Sequence, residues 1–144
     1  MSRNRPTVHD LRAIKGKRQL TMLRVMTLEE AEAAERAGVD IVSIPPDLLL
    51  DPRYRDAAPS LFSMPGENFY EIGNGDDFVR WAFRMVKAGA DAVYCSASYA
   101  TVKRMADEAV PVIGHVGLIP SRRTWTGGWK AVGKTAGSAK EIMQ

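Results

Sequence analysis

The phrase Ala-Gly-(Val/Ala)-Asp followed at once by a short apolar run occurs twice, as AGVDIVSI at 37–44 and AGADAVY at 88–94. Each copy follows a stretch with helical spacing. Glycine stops a helix because it enters the left-handed region without a Cβ penalty. The run behind it is continuous and apolar, as in a strand buried on both faces of a parallel sheet. A chain that turns a helix tightly into a buried strand more than once is confined to βαβ connections. The runs 39–44 (VDIVSI), 90–94 (ADAVY) and 110–116 (VPVIGHV) are therefore read as strands, with 19–25 (QLTMLRV) as a fourth.

Helices lie between them. Thr27 and Glu30 form a capping-box signature ahead of Leu28, Ala31 and Ala34, and Gly38 ends that helix. Asp76 or Asp77 caps a second helix, with Phe78, Trp81, Ala82 and Met85 on its apolar face and Gly89 at its close. A third spans about 98–108, with Val102, Met105 and Ala106 facing inward. No Gly-x-Gly-x-x-Gly loop follows a strand, which removes the dinucleotide-binding form. A doubly wound, flavodoxin-like sheet and a (β/α)8 barrel both satisfy the pattern.

Composition narrows the class. With 144 residues, 45% hydrophobic and 26% charged, the chain reads as one globular domain over 1–144. The net charge of +3 is spread among interleaved acids and bases, unlike the basic stripe of a nucleic-acid binder. Basic residues do gather at Arg12, Lys15, Lys17 and Arg18, read as solvated surface, and at Arg122, Arg123, Lys130 and Lys134. Cys95 is the single cysteine, so no intrachain disulfide forms, and a cytoplasmic location is expected. The N-terminus has no signal-like apolar core, and no stretch nears the roughly 18 apolar residues of a membrane span.

Three blocks carry a resemblance. Residues 7–18 read TVHDLRAIKGKR, 110–120 read VPVIGHVGLIP, and 127–135 read GGWKAVGKT. They resemble the opening basic segment, the fifth strand (V-P-V-x-G-H-(L/V)-G-L-x-P) and the following loop (G-G-(Y/F)-K-V-Q-G-(K/R)-T) of ketopantoate hydroxymethyltransferases. The resemblance implies a TIM-type (β/α)8 barrel of the phosphoenolpyruvate mutase and isocitrate lyase superfamily, usually homo-oligomeric. It also implies transfer of a one-carbon unit from methylenetetrahydrofolate to a 2-oxo acid, 2-oxoisovalerate, in pantothenate biosynthesis. Mg2+ or another divalent cation would chelate that acid. A barrel needs about 250 residues, and 138–144 (SAKEIMQ) reads as a newly begun helix. A fragment supplying about the first five strands is thus expected, with the catalytic base on a later strand.

Carried over residue by residue, the resemblance makes His115 a substrate contact at the end of the fifth strand. Asp47, in IPPDLLLDP, falls near a metal-binding aspartate and is equally good turn chemistry. The third-strand acid is replaced, since FSMP at 62–65 puts Ser63 there. The fourth-strand lysine and glutamate are replaced too, since VYCSA at 93–97 puts Tyr94 and Ser96 there, as substrate contacts. Glu67 and Glu71, in GENFYE, are candidate substitute metal ligands on one side of a helical turn. Trp129 and Lys130, among Gly127, Gly128, Gly133 and Trp125, suit a lid over an anionic planar ligand. Cys95 is read as a buried strand cysteine. Another 2-oxo acid lyase or aldolase, or a catalytically silent barrel paralogue, is the alternative.

Overall fold

The computed structural model describes residues 4–143 and contains α and β elements in alternation. The strands are β1 (Met22–Arg24), β2 (Ile41–Ile44), β3 (Phe62–Pro65), β4 (Val93–Cys95) and β5 (Val112–Gly114). The helices are α1 (Val8–Ala13), α2 (Leu28–Ala37), α3 (Pro46–Leu50), α4 (Tyr54–Ala57), α5 (Gly75–Lys87), α6 (Tyr99–Asp107), α7 (Arg123–Thr126) and α8 (Ala136–Met143), with a 3-10 turn at Pro120–Arg122. Among the described residues no helix is long and apolar enough to cross a membrane.

All strand pairs are parallel. Met22, Leu23 and Arg24 stand beside Ile41, Val42 and Ser43, and Ile41 to Ile44 stand beside Phe62 to Pro65. Val93, Tyr94 and Cys95 stand beside Val112, Ile113 and Gly114. A bridge from Gly66 to Tyr94 and a bond from the Asp91 N–H to the Ser63 carbonyl carry the line from β3 to β4. The strands thus form two parallel sheets, β1-β2-β3 and β4-β5, with β1 at an edge and the bridge continuing the sequence order between them. A flavodoxin-like sheet reverses at an interior β1, and that order is not found among the described strands.

The two Ala-Gly-x-Asp phrases do more than end helices. Gly38 adopts φ +74 and Gly89 φ +97. The aspartate two residues later then reaches back to the preceding strand. The Asp40 carboxylate accepts from the Thr21 N–H (2.9 Å), the Thr21 hydroxyl (3.0 Å) and Arg18 (2.8 Å), fixing β1 against β2. The Asp91 carboxylate accepts from the Ser63 N–H (2.8 Å) and Arg55 (3.1 Å), and pairs with Arg5 (3.2 Å), fixing β3 against β4. Arg18, one of the cluster read as solvated, thus has a structural partner.

Burial alone would raise the Asp40 carboxyl, but bonds from Arg18 and Thr21 outweigh it and hold it below the usual 3.8. A depressed folded-state value stabilises above the unfolded-state value, and that stability disappears as pH falls through the folded-state value. Asp40→Asn is therefore expected to cost about 1 kcal/mol or more at pH 7. Thermal melts should show the gap to the wild type closing below pH 4.

Side chains two apart on a strand share a face. Val42, Ile44, Val93 and Cys95 face the helices, where they meet Ala31 and Ala34 of α2, Ala82 and Met85 of α5, and Met105 of α6. Phe62, Met64 and Ala92 lie on the other face with Ile41 and Tyr94, covered at one end by Val8 and Leu11 of α1. Thr7 and Asp10 close a capping box that starts α1.

Several expectations are corrected. Asn74 caps α5, accepting from the Asp77 N–H at 3.0 Å; Asp76 and Asp77 fall in the first turn, where acids suit the helix dipole. Ala106 is exposed beside Met105, the buried residue of α6. FSMP has no β-branched residue to mark it as a strand, yet β3 is buried throughout. The strands are shorter than the apolar runs because the run ends serve turns and helix contacts. α3 and α4 occupy the short span between β2 and β3, and Tyr54 is fully buried there.

Candidate functional site

The face shared by Ile41, Phe62, Met64 and Ala92 continues toward the C-terminal strand ends through Ser43, Tyr94 and His115, with Arg24 beside Ser43 in register. Parity alone puts these groups together. The Arg24 guanidinium donates to the Ser43 hydroxyl at 2.9 Å. Gly66 sits between Arg24 and Tyr94, and a Cβ there would come within 3.4 Å of the Tyr94 ring and 3.9 Å of the Arg24 guanidinium. The Tyr94 and His115 rings lie 5.4 Å apart, tilted by 32°. The His115 N–H extends the ladder to the Cys95 carbonyl at 2.8 Å. Its Nδ1 is buried and has no hydrogen-bond partner.

Ser96 is buried at the end of β4 and holds Glu67. Its N–H donates to Glu67 Oε1 at 2.9 Å and its hydroxyl donates to the same oxygen. Burial and the Glu67 charge raise the Tyr94 phenol above its usual value, while Arg24 acts in the opposite sense. Burial lowers the Arg24 guanidinium, countered by Tyr94. The result is a row of groups from Arg24 through Tyr94 to His115, with the anionic Glu67 held to one side by Ser96.

The other carboxylates do not join this row. Asp47 is exposed in the first turn of α3. Glu71 is exposed and accepts from the Asn68 amide at 3.0 Å. Asp47 and Glu71 line one hollow with Trp81 and Arg84 of α5, whereas Glu67 lines another with Ser96. Residues 66–71 do not form the helical turn expected of them: Tyr70 has φ +69, and the reversal separates Glu67 from Glu71. No group of three or more His, Cys, Asp or Glu among the described residues could hold a metal ion. Mg2+ is held through one or two carboxylates, with waters and substrate oxygens completing its shell, and Asp47, Glu67 and Glu71 do not converge on one point for it.

Ser63 is also displaced from the row. It faces the helices, sharing a 2.7 Å hydrogen bond with the Tyr54 hydroxyl and accepting from Arg55 at 3.1 Å. Cys95 faces the helices as well, and burial pushes its thiol up to about 11, the opposite of an activated nucleophile.

Beyond β5 the chain is only partly a loop. The 3-10 turn and α7 end at Gly127 (φ +77), followed by Gly128 (φ +105). Trp129 is exposed with the Arg123 guanidinium 5.7 Å from its ring centre, and Trp125 is almost wholly exposed. The Tyr70 hydroxyl donates to the Ser121 carbonyl at 3.4 Å, tying the loop after β3 to the segment after β5. Arg122, and Glu141 and Ile142 of α8, line a hollow with His115.

Residues 61–144 match the family model described as ketopantoate hydroxymethyltransferase. The chain belongs to the ketopantoate hydroxymethyltransferase family. Among curated proteins it is similar to the 3-methyl-2-oxobutanoate hydroxymethyltransferase of Kosmotoga olearia, 28% identical over 90% of this chain and 57% of that protein. It is similar to the Thermococcus kodakarensis protein of the same name, 28% identical over 91% of this chain and 54% of that protein. A third, from Pyrobaculum neutrophilum, is 45% identical over 52% of this chain and 30% of that protein. Over its near-full matches the chain spans about half the length of these curated relatives. Every strand-end group of the row from Tyr94 to His115 lies inside the segment matched to the ketopantoate hydroxymethyltransferase family. Arg24 and Ser43 lie outside it and carry no motif; their signal is strand parity, legible once the β1–β2 register is known.

Proposed function

We propose that the protein is a 3-methyl-2-oxobutanoate hydroxymethyltransferase-like enzyme acting on a 2-oxo acid at the strand ends of a TIM-type barrel. This chain would supply about its first five strands, and methylenetetrahydrofolate would be the one-carbon donor. The observation that carries the reading is the buried, unpartnered His115 Nδ1 beside Tyr94, at the end of β5 within the family-matched segment. Barrel enzymes place their chemistry at this end of the strands. The parallel pairing within β1-β2-β3 and β4-β5, joined by the bridge from Gly66 to Tyr94, supports the same architecture.

In the proposed reaction the C3–H bond breaks and its proton passes to a base. The resulting carbanion bonds to the methylene carbon of the donor. The hydroxymethyl product forms as both carbon–nitrogen bonds of that carbon are given up in turn, each nitrogen keeping its electron pair and taking up a proton while water supplies the hydroxyl. The negative charge of that carbanion is shared with the keto oxygen as the C3–H bond breaks, and donors aimed there lower the barrier to its formation. The His115 imidazole and the Tyr94 hydroxyl are the groups assigned to that oxygen. Ser96 positions Glu67 and keeps its charge to one side. Trp129 and Lys130 are assigned to the segment that closes over the ligand. Mg2+ is implied by the resemblance, but the split of Asp47 and Glu71 from Glu67 does not fit such an ion, and no step is routed through it.

That same split favours a second reading, another 2-oxo acid lyase or aldolase of the superfamily. Incubating the full protein with 3-methyl-2-oxobutanoate in D2O tests both. Exchange at C3, followed by hydroxymethyl transfer when methylenetetrahydrofolate is added, is the expected result. Exchange without transfer favours the lyase or aldolase. Absence of both contradicts a 2-oxo acid enzyme and leaves the silent paralogue.

A further inference from the structure

We infer that Arg24, with Ser43 and the notch over Gly66, forms a carboxylate subsite that binds the substrate's acid group without a divalent cation. The inference rests on the 2-oxo acid reading above and deepens it.

The cation comes first. Among the described residues Arg5, Arg18, Arg36, Arg53, Arg55, Arg80 and Arg104 pair with carboxylates, whereas Arg12, Arg24, Arg84, Arg122 and Arg123 do not. Arg24 forms no such ion pair, and its hydrogen bond goes to a neutral hydroxyl, that of Ser43. A guanidinium has five N–H donors in a rigid fork that matches a carboxylate, and one bond to Ser43 aims the fork while leaving donors unused. The β1–β2 register, with Arg24 opposite Ser43, fixes the position from which it reaches.

The space comes second. Gly66 leaves the space between Arg24 and Tyr94 free of side-chain atoms, and a Cβ there would sit in van der Waals contact with both, 3.9 Å from the guanidinium and 3.4 Å from the Tyr94 ring. The notch is thus bounded by a cation on one side and an aromatic ring on the other. The competing anion, Glu67, is next in the chain, but its Oε1 is taken by the N–H and hydroxyl of Ser96.

Direction comes third. The His115 ring lies on the other side of Tyr94, 5.4 Å from it centre to centre, with its Nδ1 unpartnered. A 2-oxo acid carries its two polar groups on adjacent carbons. With the carboxylate at Arg24, the keto oxygen on the adjacent carbon falls on the Tyr94 side of the notch. The orientation that chelation would impose is then set by a fixed cation on β1.

Titration calorimetry of the full protein in EDTA tests this, using 3-methyl-2-oxobutanoate and 2-methylpropanoate, a carboxylate without the keto group. Wild-type protein is expected to bind both. Arg24→Met should weaken both by roughly tenfold or more, as loss of a charge-assisted bond does. Arg24→Lys should recover part of the affinity, and Ser43→Ala should weaken both more mildly. Melting curves check that the variants fold, and Arg24→Gln replaces the methionine variant should that one fail. Unchanged affinity in Arg24→Met overturns the subsite, as does wild-type binding that vanishes in EDTA and returns with Mg2+. Arg24-dependent binding of 2-methylpropanoate with no preference for the 2-oxo acid upholds the subsite and contradicts the 2-oxo acid reading. Binding of the 2-oxo acid indifferent to Arg24 does the reverse, and binding of neither ligand overturns both.

Discussion

Asp91→Ala is expected to destabilise the full protein by about 3 kcal/mol or more. The Asp91 side chain is only 13% exposed, and it binds the Ser63 N–H, Arg55 and Arg5 together. Arg55 is the partner that matters. Its guanidinium is 25% exposed and donates to the Leu61 and Gly89 carbonyls and to the Ser63 hydroxyl, while its Nε is buried without a partner. Without the aspartate that positive charge stays where it is, uncompensated. Arg5 is more exposed and adds little, as surface pairs do. Asp91→Asn keeps an acceptor for the Ser63 N–H and should fall between wild type and alanine. Urea denaturation measures the loss, and a change below about 1 kcal/mol for the alanine variant would contradict this role for the second Ala-Gly-x-Asp phrase.

Phe62→Ala should cost a similar or larger amount, about 3–5 kcal/mol, because a large side chain only 1% exposed leaves a cavity between a sheet and a short helix. Phe62 lies on the inner face with Met64 and Ala92, against Val8 and Leu11 of α1. With six residues, α1 is far too short to be helical unaided. The variant should therefore lose amide protection across Val8–Ala13 before the strands open. Hydrogen exchange reads this directly, and unchanged protection of α1 would mean that Phe62 does not hold it.

Much of this fold is legible in the residues, for identifiable reasons. Gly38 and Gly89 mark helix ends because only glycine takes their backbone conformation cheaply, and both have positive φ. Thr27 caps α2 by accepting from the Glu30 N–H, but the reciprocal half of the expected capping box does not form, since the Glu30 carboxylate accepts from the Met26 N–H. β3 is different, since FSMP is neither β-branched nor alternating, and its burial comes from having β2 on one edge and β4 beyond the other. The N-cap of α5 is ambiguous in the sequence because Asn74, Asp76 and Asp77 are all good capping residues, and backbone geometry chooses Asn74 among them.

The site divides along the same line. His115, Tyr94 and Ser96 stand at strand ends, so short motifs locate them. Glu67 and Glu71 depend on a loop whose path turns on one left-handed residue, Tyr70, and spacing alone could not show that they diverge. Ser63 depends on which side of β3 a side chain emerges, which one residue of register reverses. Arg24 and Ser43 depend on pairing between strands, which no local pattern encodes.

The assignment of His115 is tested most directly by calorimetric titration of 3-methyl-2-oxobutanoate into the full protein and into its His115→Ala variant. Loss of one hydrogen bond to a charged or strongly polarised ligand corresponds to roughly tenfold or more in affinity. The expected result is a weakening of that order with the melting temperature held near the wild-type value. Equal affinity in the two proteins would contradict a 2-oxo acid site at the strand ends beside Tyr94.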